Sequence, residues 1–164
     1  LTAHPNIFDS KTDSNNISYG CPVTKTTLEQ QFILNLTRAP YFLTKNLCFL
    51  GQIENNSSED IDDSALVYKS AKGLVIITGC SHSGIINIIE YAKKVTGSNK
   101  IFAIVGGLHL LDMEKSKIKE ITSYLKKEKV EFLYPCHCCD LNSKIVMAQE
   151  LEIKEVCSGD KISF

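Results

Sequence analysis

The second half of the chain alternates short apolar runs with segments whose apolar residues recur at helical spacing. Continuous apolar runs at 74–77 and 101–105 are typical of strands covered on both faces, and residues 130–134 predict a further strand that ends at Pro135. Residues 85–97 and 112–127 repeat apolar side chains every three or four positions, which predicts two amphipathic helices. This strand–helix–strand alternation predicts an α/β layered fold with right-handed crossovers between parallel strands.

The first half and the end of the chain give shorter signals of the same kind. Residues 1–25 are polar and rich in Asn and Ser, which predicts a loop. The remaining patterns predict a helix at 26–34, a buried strand at 46–53, an acidic loop at 54–63, a hairpin of strands 65–69 and 73–79, a helix at 143–151 and a last strand at 155–158.

Composition narrows the class of protein. The 164 residues are 43% hydrophobic and 23% charged, which suits one domain with a buried core. A net charge of −1 gives no basic field, so we expect no nucleic-acid partner. No apolar run reaches the roughly 20 residues of a membrane span. The start at Leu1 resembles neither a signal peptide nor an initiator methionine, so we expect a piece of a longer protein.

The cysteines argue against a disulfide framework. There are seven, an odd number, in a chain with enough apolar residues for a core. We therefore expect the reducing cytoplasm. Three of them fall in the stretch Cys136-His137-Cys138-Cys139, a composition typical of metal or redox chemistry.

Three histidines stand at equivalent places, each just after a predicted buried strand. They are His82, His109 and His137, separated by 27 and then 28 residues, about one strand–helix–strand unit. Carboxyl ends of strands in open α/β sheets gather at one edge, so these imidazoles can converge there on Zn²⁺ or Fe. A single histidine at a strand end is more often a surface residue, but three beside Gly or Cys favour a site. Cys80 is either a further ligand or a small buried residue.

The spacing Cys136-x-x-Cys139 offers a different interpretation. Such a pair either holds structural zinc or cycles between thiol and disulfide. A closed zinc site needs four ligands, and the chain has no second motif of this kind.

Several stretches together resemble a known family. They are GLVIITGCSHSGI at 73–85, GGLHL at 106–110 and PCHC at 135–138, with His4-Pro5, FLGQI at 49–53 and DDSAL at 62–66. In this order they resemble the metallo-β-lactamase-fold superfamily, in its branch named for 7,8-dihydropterin-6-methyl-4-(β-D-ribofuranosyl)aminobenzene-5′-phosphate synthase. The resemblance implies an αββα sandwich with a one- or two-metal site on one edge of the sheets, and mostly hydrolase activity on small molecules.

The resemblance also implies roles for individual residues. His82 and His137 match metal ligands, and either Cys80 or His82 takes the place of the family's bridging carboxylate. His109 is either a ligand or a catalytic residue that touches substrate. The implied metal is Zn²⁺, one or two ions, with Mn²⁺ or Fe as alternatives, and the implied substrate is an ester, phosphoester or related small molecule.

Two departures from the family pattern matter. The superfamily motif H-x-H-x-D-H is absent from residues 1–164, so we expect this single domain to be the C-terminal part of such a protein and inactive alone. Cys139-Asp140 stands where relatives commonly have Thr-Gly. Besides a metal-dependent hydrolase, the sequence leaves open a catalytically dead domain that binds a partner or ligand, and a small structural-zinc or redox protein centred on Cys136 and Cys139.

Overall fold

The computed structural model describes residues 1–12, 18–54 and 63–164. It contains ten strands, four α-helices and one 3-10 turn at Pro5–Phe8 within those ranges. In chain order they are β1 (Thr2–Ala3), β2 (Lys11–Thr12), β3 (Ser18–Tyr19), α1 (Lys25–Glu29), β4 (Asn35–Leu36), β5 (Tyr41–Phe42), β6 (Leu47–Phe49), β7 (Ala65–Ser70), β8 (Gly73–Thr78), α2 (Ile85–Thr96), β9 (Ile101–Gly106), α3 (Lys115–Lys127), β10 (Phe132–Pro135) and α4 (Leu141–Ala148).

One six-stranded sheet organises the molecule. Its strand order is β10-β9-β8-β7-β6-β5, and β8, β9 and β10 are parallel. The strands from β5 to β8 are antiparallel to their neighbours, and β7 and β8 form the predicted hairpin. The three parallel strands therefore end at the same edge of the sheet, as the alternating pattern predicts.

Helices α2, α3 and α4 cover one face of this sheet. Their apolar stripes meet the inward residues of the strands in one core, which includes Ile76 and Ile104 from the sheet and Ile88, Ile121 and Met147 from the helices. Helix α2 ends at Gly97, whose left-handed φ of 68° allows the chain to turn back toward β9. The predicted helices at 85–97 and 112–127 are thus confirmed, the second beginning at Lys115.

A smaller cluster lies on the opposite face. Val75, Phe102 and Ala103 are buried there, and Phe132 and Phe164 pack against them. The described residues thus form one six-stranded sheet with one helical layer, and two further two-stranded sheets, β1-β4 and β2-β3. None of the helices in the described ranges is long and apolar enough to cross a membrane.

The structure corrects one predicted strand. Residues 155–158 form no strand. The chain instead meets β10 earlier, where Leu133 N donates to Glu152 O at 3.4 Å and Lys154 N donates to Leu133 O at 2.8 Å. These bonds form one isolated bridge between Leu133 and Ile153, and no further pairing with β10 follows at residues 155–158. The predicted acidic loop at 54–63 lies for the most part outside the described residues.

Candidate metal centre

The loops after β8, β9 and β10 lie side by side and are held together by backbone hydrogen bonds. Gly107 N donates to Gly79 O at 2.8 Å, Cys136 N donates to Gly106 O at 2.9 Å, and Leu110 N donates to Cys138 O at 2.8 Å. These bonds extend the sheet beyond its last strand residues. These hydrogen bonds therefore hold the three strand-end loops, and the side chains on them, in fixed relative positions.

Gly107 keeps the space between these loops open. A Cβ atom at this position would lie 2.6 Å from Cys138 Sγ, 2.6 Å from Gly79 O and 3.1 Å from Cys80 Cα. Such distances are far below van der Waals contact, so no other residue fits without moving backbone. The missing side chain lets the sulfur of Cys138 reach the loop that carries Cys80.

The third residue after each of the three strands is a non-glycine residue in the left-handed region. Ser81 has φ 65°, His109 has φ 54° and Cys138 has φ 52°. This conformation costs on the order of 1–3 kcal/mol per residue and persists where surrounding contacts determine it. At Ser81 the contact is a hydrogen bond of 2.6 Å from its buried hydroxyl to Gly107 O. Strain repeated at three neighbouring strand ends is typical of a functional site.

Three of these side chains form a cluster, called here the thiol–imidazole cluster: Cys80, His109 and Cys138. Cys80 Sγ lies 3.0 Å from Cys138 Sγ and 3.7 Å from His109 Nδ1. The backbone N–H of His109 donates to Cys138 Sγ at 3.3 Å. One ligand atom from each residue lies within 4.8 Å of the others.

His82 stands beside the cluster. Its exposed ring packs edge to face on His109, with ring centroids 4.9 Å apart. The next residue, Ser83, fixes this loop because its N–H and hydroxyl donate to one oxygen of Asp63 at 2.9 and 2.6 Å. His109 thus contacts both Cys80 and His82.

The structure places His137 outside the thiol–imidazole cluster. It is exposed in the turn that follows β10, and its neighbour Cys138 is the residue that reaches Cys80. The pattern of strand ends predicted His82, His109 and Cys80 as neighbours but not Cys138. A left-handed residue in this turn changes which of two adjacent side chains points inward, and the sequence offers no signal for it. The assignment of His82, His137 and Cys80 as ligands and of His109 as catalytic stays a prediction.

The other motif cysteines and the fourth histidine have local partners. Cys136 Sγ donates to Tyr134 O at 3.5 Å, and Cys139 packs against the main core. The sulfur contact in this motif is therefore made by Cys138 rather than within the pair Cys136 and Cys139. His4 is buried, accepts at Nδ1 from Asn6 N and contacts Gln52 Oε1 through Nε2 at 3.3 Å.

Burial and neighbouring sulfur keep Cys80 protonated in the absence of a metal. Desolvation, followed by the hydrogen bond and charge of Cys138, raises the pKa of Cys80 to about 12. Burial likewise raises the pKa of Cys139. A thiol of this kind becomes a ligand only when a bound cation displaces its proton.

The donors present fit a thiophilic divalent ion. Sulfur and imidazole are the ligands that Zn²⁺ prefers, and a Zn–S distance of about 2.3 Å in tetrahedral geometry separates two sulfur ligands by about 3.7 Å. The 3.7 Å between Cys80 Sγ and His109 Nδ1 places the imidazole next to a proposed ligand, which suits either of the two roles that the sequence leaves open for His109. The 3.0 Å between the two sulfur atoms is shorter than two zinc ligands need.

Comparisons with known proteins show which sequences this chain is similar to. No family model matches the chain. It is 28% identical over 193 residues to the 7,8-dihydropterin-6-methyl-4-(β-D-ribofuranosyl)-aminobenzene-5′-phosphate synthase of Methanocaldococcus jannaschii, covering 100% of this chain and 66% of the relative. It is 26% identical to an uncharacterised protein of the same organism, over 91% of this chain and 62% of the relative.

A solved structure shares the fold. The crystal structure of Tm1679, a metal-dependent hydrolase of the β-lactamase superfamily, superposes with a TM-score of 0.84 at 23% identity, over 99% of this chain and 70% of that one. The chain therefore has the metallo-β-lactamase fold, and the resemblance drawn from its motifs is confirmed. It spans just under two thirds of the length of the curated relatives.

Proposed function

We propose that this chain carries the metal-binding edge of a metal-dependent hydrolase that cleaves an ester, phosphoester or related bond in a small molecule. The observation that carries the proposal is the convergence of Cys80, His109 and Cys138 at the ends of three parallel strands. The superfamily fold supports it, because the similar solved structure is a metal-dependent hydrolase. The synthase activity of the archaeal relative is a narrower form of the same proposal.

The proposed ligands lie on two of the three strand-end loops. Cys80 and His82 follow β8, and His137 follows β10, beside the half-buried Cys138. A bound Zn²⁺, or Mn²⁺ or Fe, would polarise the bond under attack and make water nucleophilic near neutral pH. Residues of this chain set the donor positions through the hydrogen bonds of Gly107, Ser81 and Ser83.

His109 is the proposed proton-transfer residue. Its Nδ1 lies 3.7 Å from Cys80 Sγ and its ring contacts His82, so it touches two proposed ligands while remaining exposed to a substrate. An imidazole can carry a proton and donate it to the leaving group. Asp63 is a positioning residue, since it holds the loop of His82 through Ser83.

The proposal also places the protein in a reducing compartment, the cytoplasm. All seven cysteines are free thiols in the structure, and two of them lie within reach of each other at the site. A thiol ligand such as Cys80 needs reducing conditions to stay available.

Hydrolysis tests the proposal directly. The product of the complete open reading frame is stripped of metal with a chelator and assayed on chromogenic carboxylic and phosphate esters, before and after addition of Zn²⁺ or Mn²⁺. We expect activity only with metal, and a loss of at least about a hundredfold in His109→Ala with metal still bound. Metal-bound protein that cleaves none of these esters supports a binding domain instead and contradicts the hydrolase.

A further inference from the structure

Cys80 and Cys138 are closer to each other than a shared zinc ion requires. Their Sγ atoms lie 3.0 Å apart, although 58 positions separate them in the chain. Two sulfur ligands of one tetrahedral zinc ion lie about 3.7 Å apart, and a disulfide joins sulfurs at about 2.05 Å. The pair is thus a direct thiol contact between two strand-end loops, each of which is held by backbone hydrogen bonds to the loop after β9.

We propose that Cys80 and Cys138 form a peroxide-sensitive dithiol that closes reversibly to a disulfide. This modification goes beyond hydrolysis. Its consequence for the metal, loss of the Cys80 ligand, rests on the proposed function.

The hydrogen bonds assign the two thiols different roles. Cys138 Sγ accepts from the backbone N–H of His109 at 3.3 Å and from the thiol of Cys80 at 3.0 Å. Two donors are directed at the Cys138 sulfur, and its own thiol donates to Cys80 O at 3.6 Å, so this sulfur is held in place and is assigned as the one that attacks the peroxide. Cys80 is the resolving thiol, since it already points at the sulfur it would attack. Both residues are half-buried rather than enclosed, which leaves access for a small hydroperoxide.

The oxidation balances with one molecule of hydrogen peroxide. The Cys138 sulfur attacks one peroxide oxygen, the O–O bond breaks, and the other oxygen leaves as water, giving a sulfenic acid. The Cys80 sulfur then attacks the Cys138 sulfur, the S–O bond breaks, and a second water leaves. The two thiols lose two electrons and their two protons end in water, while the peroxide is reduced.

The remaining cysteines are placed differently. Cys136 donates to a backbone carbonyl in its own loop, and Cys139 packs against the core. Cys21 and Cys157 are exposed, and Cys48 is fully buried on β6. Cys157→Ser is therefore the matched control, because this thiol is exposed and lies outside the three strand-end loops.

Peptide mapping after mild oxidation tests the dithiol without any assay of hydrolysis. Reduced, metal-free protein is treated with one equivalent of hydrogen peroxide, digested without reductant and analysed by mass spectrometry. We expect one linked pair of peptides containing Cys80 and Cys138, two hydrogens lighter than the free peptides and separated by dithiothreitol. Cys157→Ser should give the same link, and Cys138→Ser should give none.

The Cys80→Ser variant tests the order of the steps. Without the resolving thiol, the sulfenic acid at Cys138 should persist and be labelled by dimedone. Intact Cys80 and Cys138 thiols after peroxide treatment, or a link between other cysteines, would overturn the proposal, and so would dimedone labelling confined to other cysteines.

Zinc release separates this proposal from the proposed function. Protein loaded with Zn²⁺ is oxidised in the presence of a chromophoric chelator. We expect zinc affinity to fall at least tenfold and to recover with dithiothreitol. A loss of about tenfold is what removing a residue that only supports a ligand already causes. If the disulfide forms in a protein that never binds zinc, the dithiol proposal is supported and the proposed metal site is contradicted. A disulfide that forms with zinc retained would overturn the coupling between them.

Discussion

At the scale of single residues, the candidate site depends on the absence of a side chain at one position, Gly107. Gly107 has no Cβ, and the space left is where Cys138 Sγ approaches Cys80. The three strained residues Ser81, His109 and Cys138 lie around it. The left-handed residues in the three adjacent loops and the absence of a side chain at Gly107 together allow the thiol after β10 to reach the thiol after β8.

Replacing this glycine tests that argument. In Gly107→Ala the added methyl lies 2.6 Å from Gly79 O and from Cys138 Sγ, so the loops must separate. We expect a loss of about 1–3 kcal/mol in the free energy of unfolding, measured with urea, and the loss of the Cys80–Cys138 link after peroxide. Gly79→Ala is the matched control, because nothing lies within 4 Å of its added Cβ. Equal effects of the two substitutions would contradict the role given to Gly107.

The sequence located part of this site. Cys80, His82 and His109 were predicted from their places after buried strands, and the structure brings them together because parallel strands share an edge. Cys138 was not predicted as their partner, since periodicity carries no information about a left-handed residue in a turn. His137, predicted from the same rule, stands next to the residue that makes the contact.

At the scale of elements, the two central helices are joined by a polar network. Lys93 on α2 lies 2.9 Å from Glu90 and 2.6 Å from Glu128, which follows α3, and Tyr124 on α3 donates its hydroxyl to Glu90. The hydrogen bond from Tyr124, and next that from Lys93, lowers the pKa of Glu90. Burial alone would lower the pKa of Lys93, but its bonds to Glu128 and Glu90 raise it instead.

This network predicts a dependence of stability on acid. Because the folded pKa of Glu90 is lowered, its contribution is present above the unfolded carboxyl pKa of about 4.3 and is lost as pH falls through the folded value. Glu90→Gln should be less stable than the parent at pH 7, by no more than about 1 kcal/mol, and should lose less on acidification. Urea unfolding at several pH values checks this. The control is Glu120→Gln, whose pair with Lys117 is exposed on both sides. A parallel decline of parent and Glu90→Gln would contradict the network.

The end of α3 gives a second prediction at this scale. Lys129 is exposed and has a φ of 55°, a conformation that glycine adopts without strain. We expect Lys129→Gly to raise the free energy of unfolding by about 0.5–1 kcal/mol. Lys119→Gly, at an exposed position inside the same helix, should lower it by about 1 kcal/mol. Thermal unfolding of both variants measures the difference, and a destabilised Lys129→Gly would show that the lysine makes contacts that outweigh its strain.

Hydrophobic periodicity predicted most of the helices and strands. It failed where a segment pairs with a strand that is distant in the sequence. The apolar repeats in α2 and α3 and the apolar runs in β8 and β9 were sufficient to predict these elements, because each element buries its apolar residues in the core beside the sheet. The expected strand at 155–158 does not form, and the chain contacts the edge of β10 earlier, through one isolated bridge between Leu133 and Ile153. No local pattern distinguishes which of two neighbouring segments pairs with an edge strand.

At the scale of the whole molecule, the fold gathers its chemistry on one edge. A six-stranded sheet is covered on one face by three helices, and its three parallel strands deliver sulfur and imidazole donors to their common end. The fold is that of the metallo-β-lactamase superfamily, and the edge is where open sheets form sites. The function proposed for this edge therefore depends on whether it binds a metal through the residues named above.

Cobalt binding tests that claim most directly. The reduced product of the complete open reading frame is titrated with Co²⁺, whose absorption shows a sulfur-to-metal charge-transfer band only when a thiolate is bound. We predict such a band for the parent protein and for Cys157→Ser, its loss in Cys80→Ser, and a fall in affinity of at least about tenfold in His82→Ala. A parent protein without the band, or a Cys80→Ser variant that keeps it, would contradict the account.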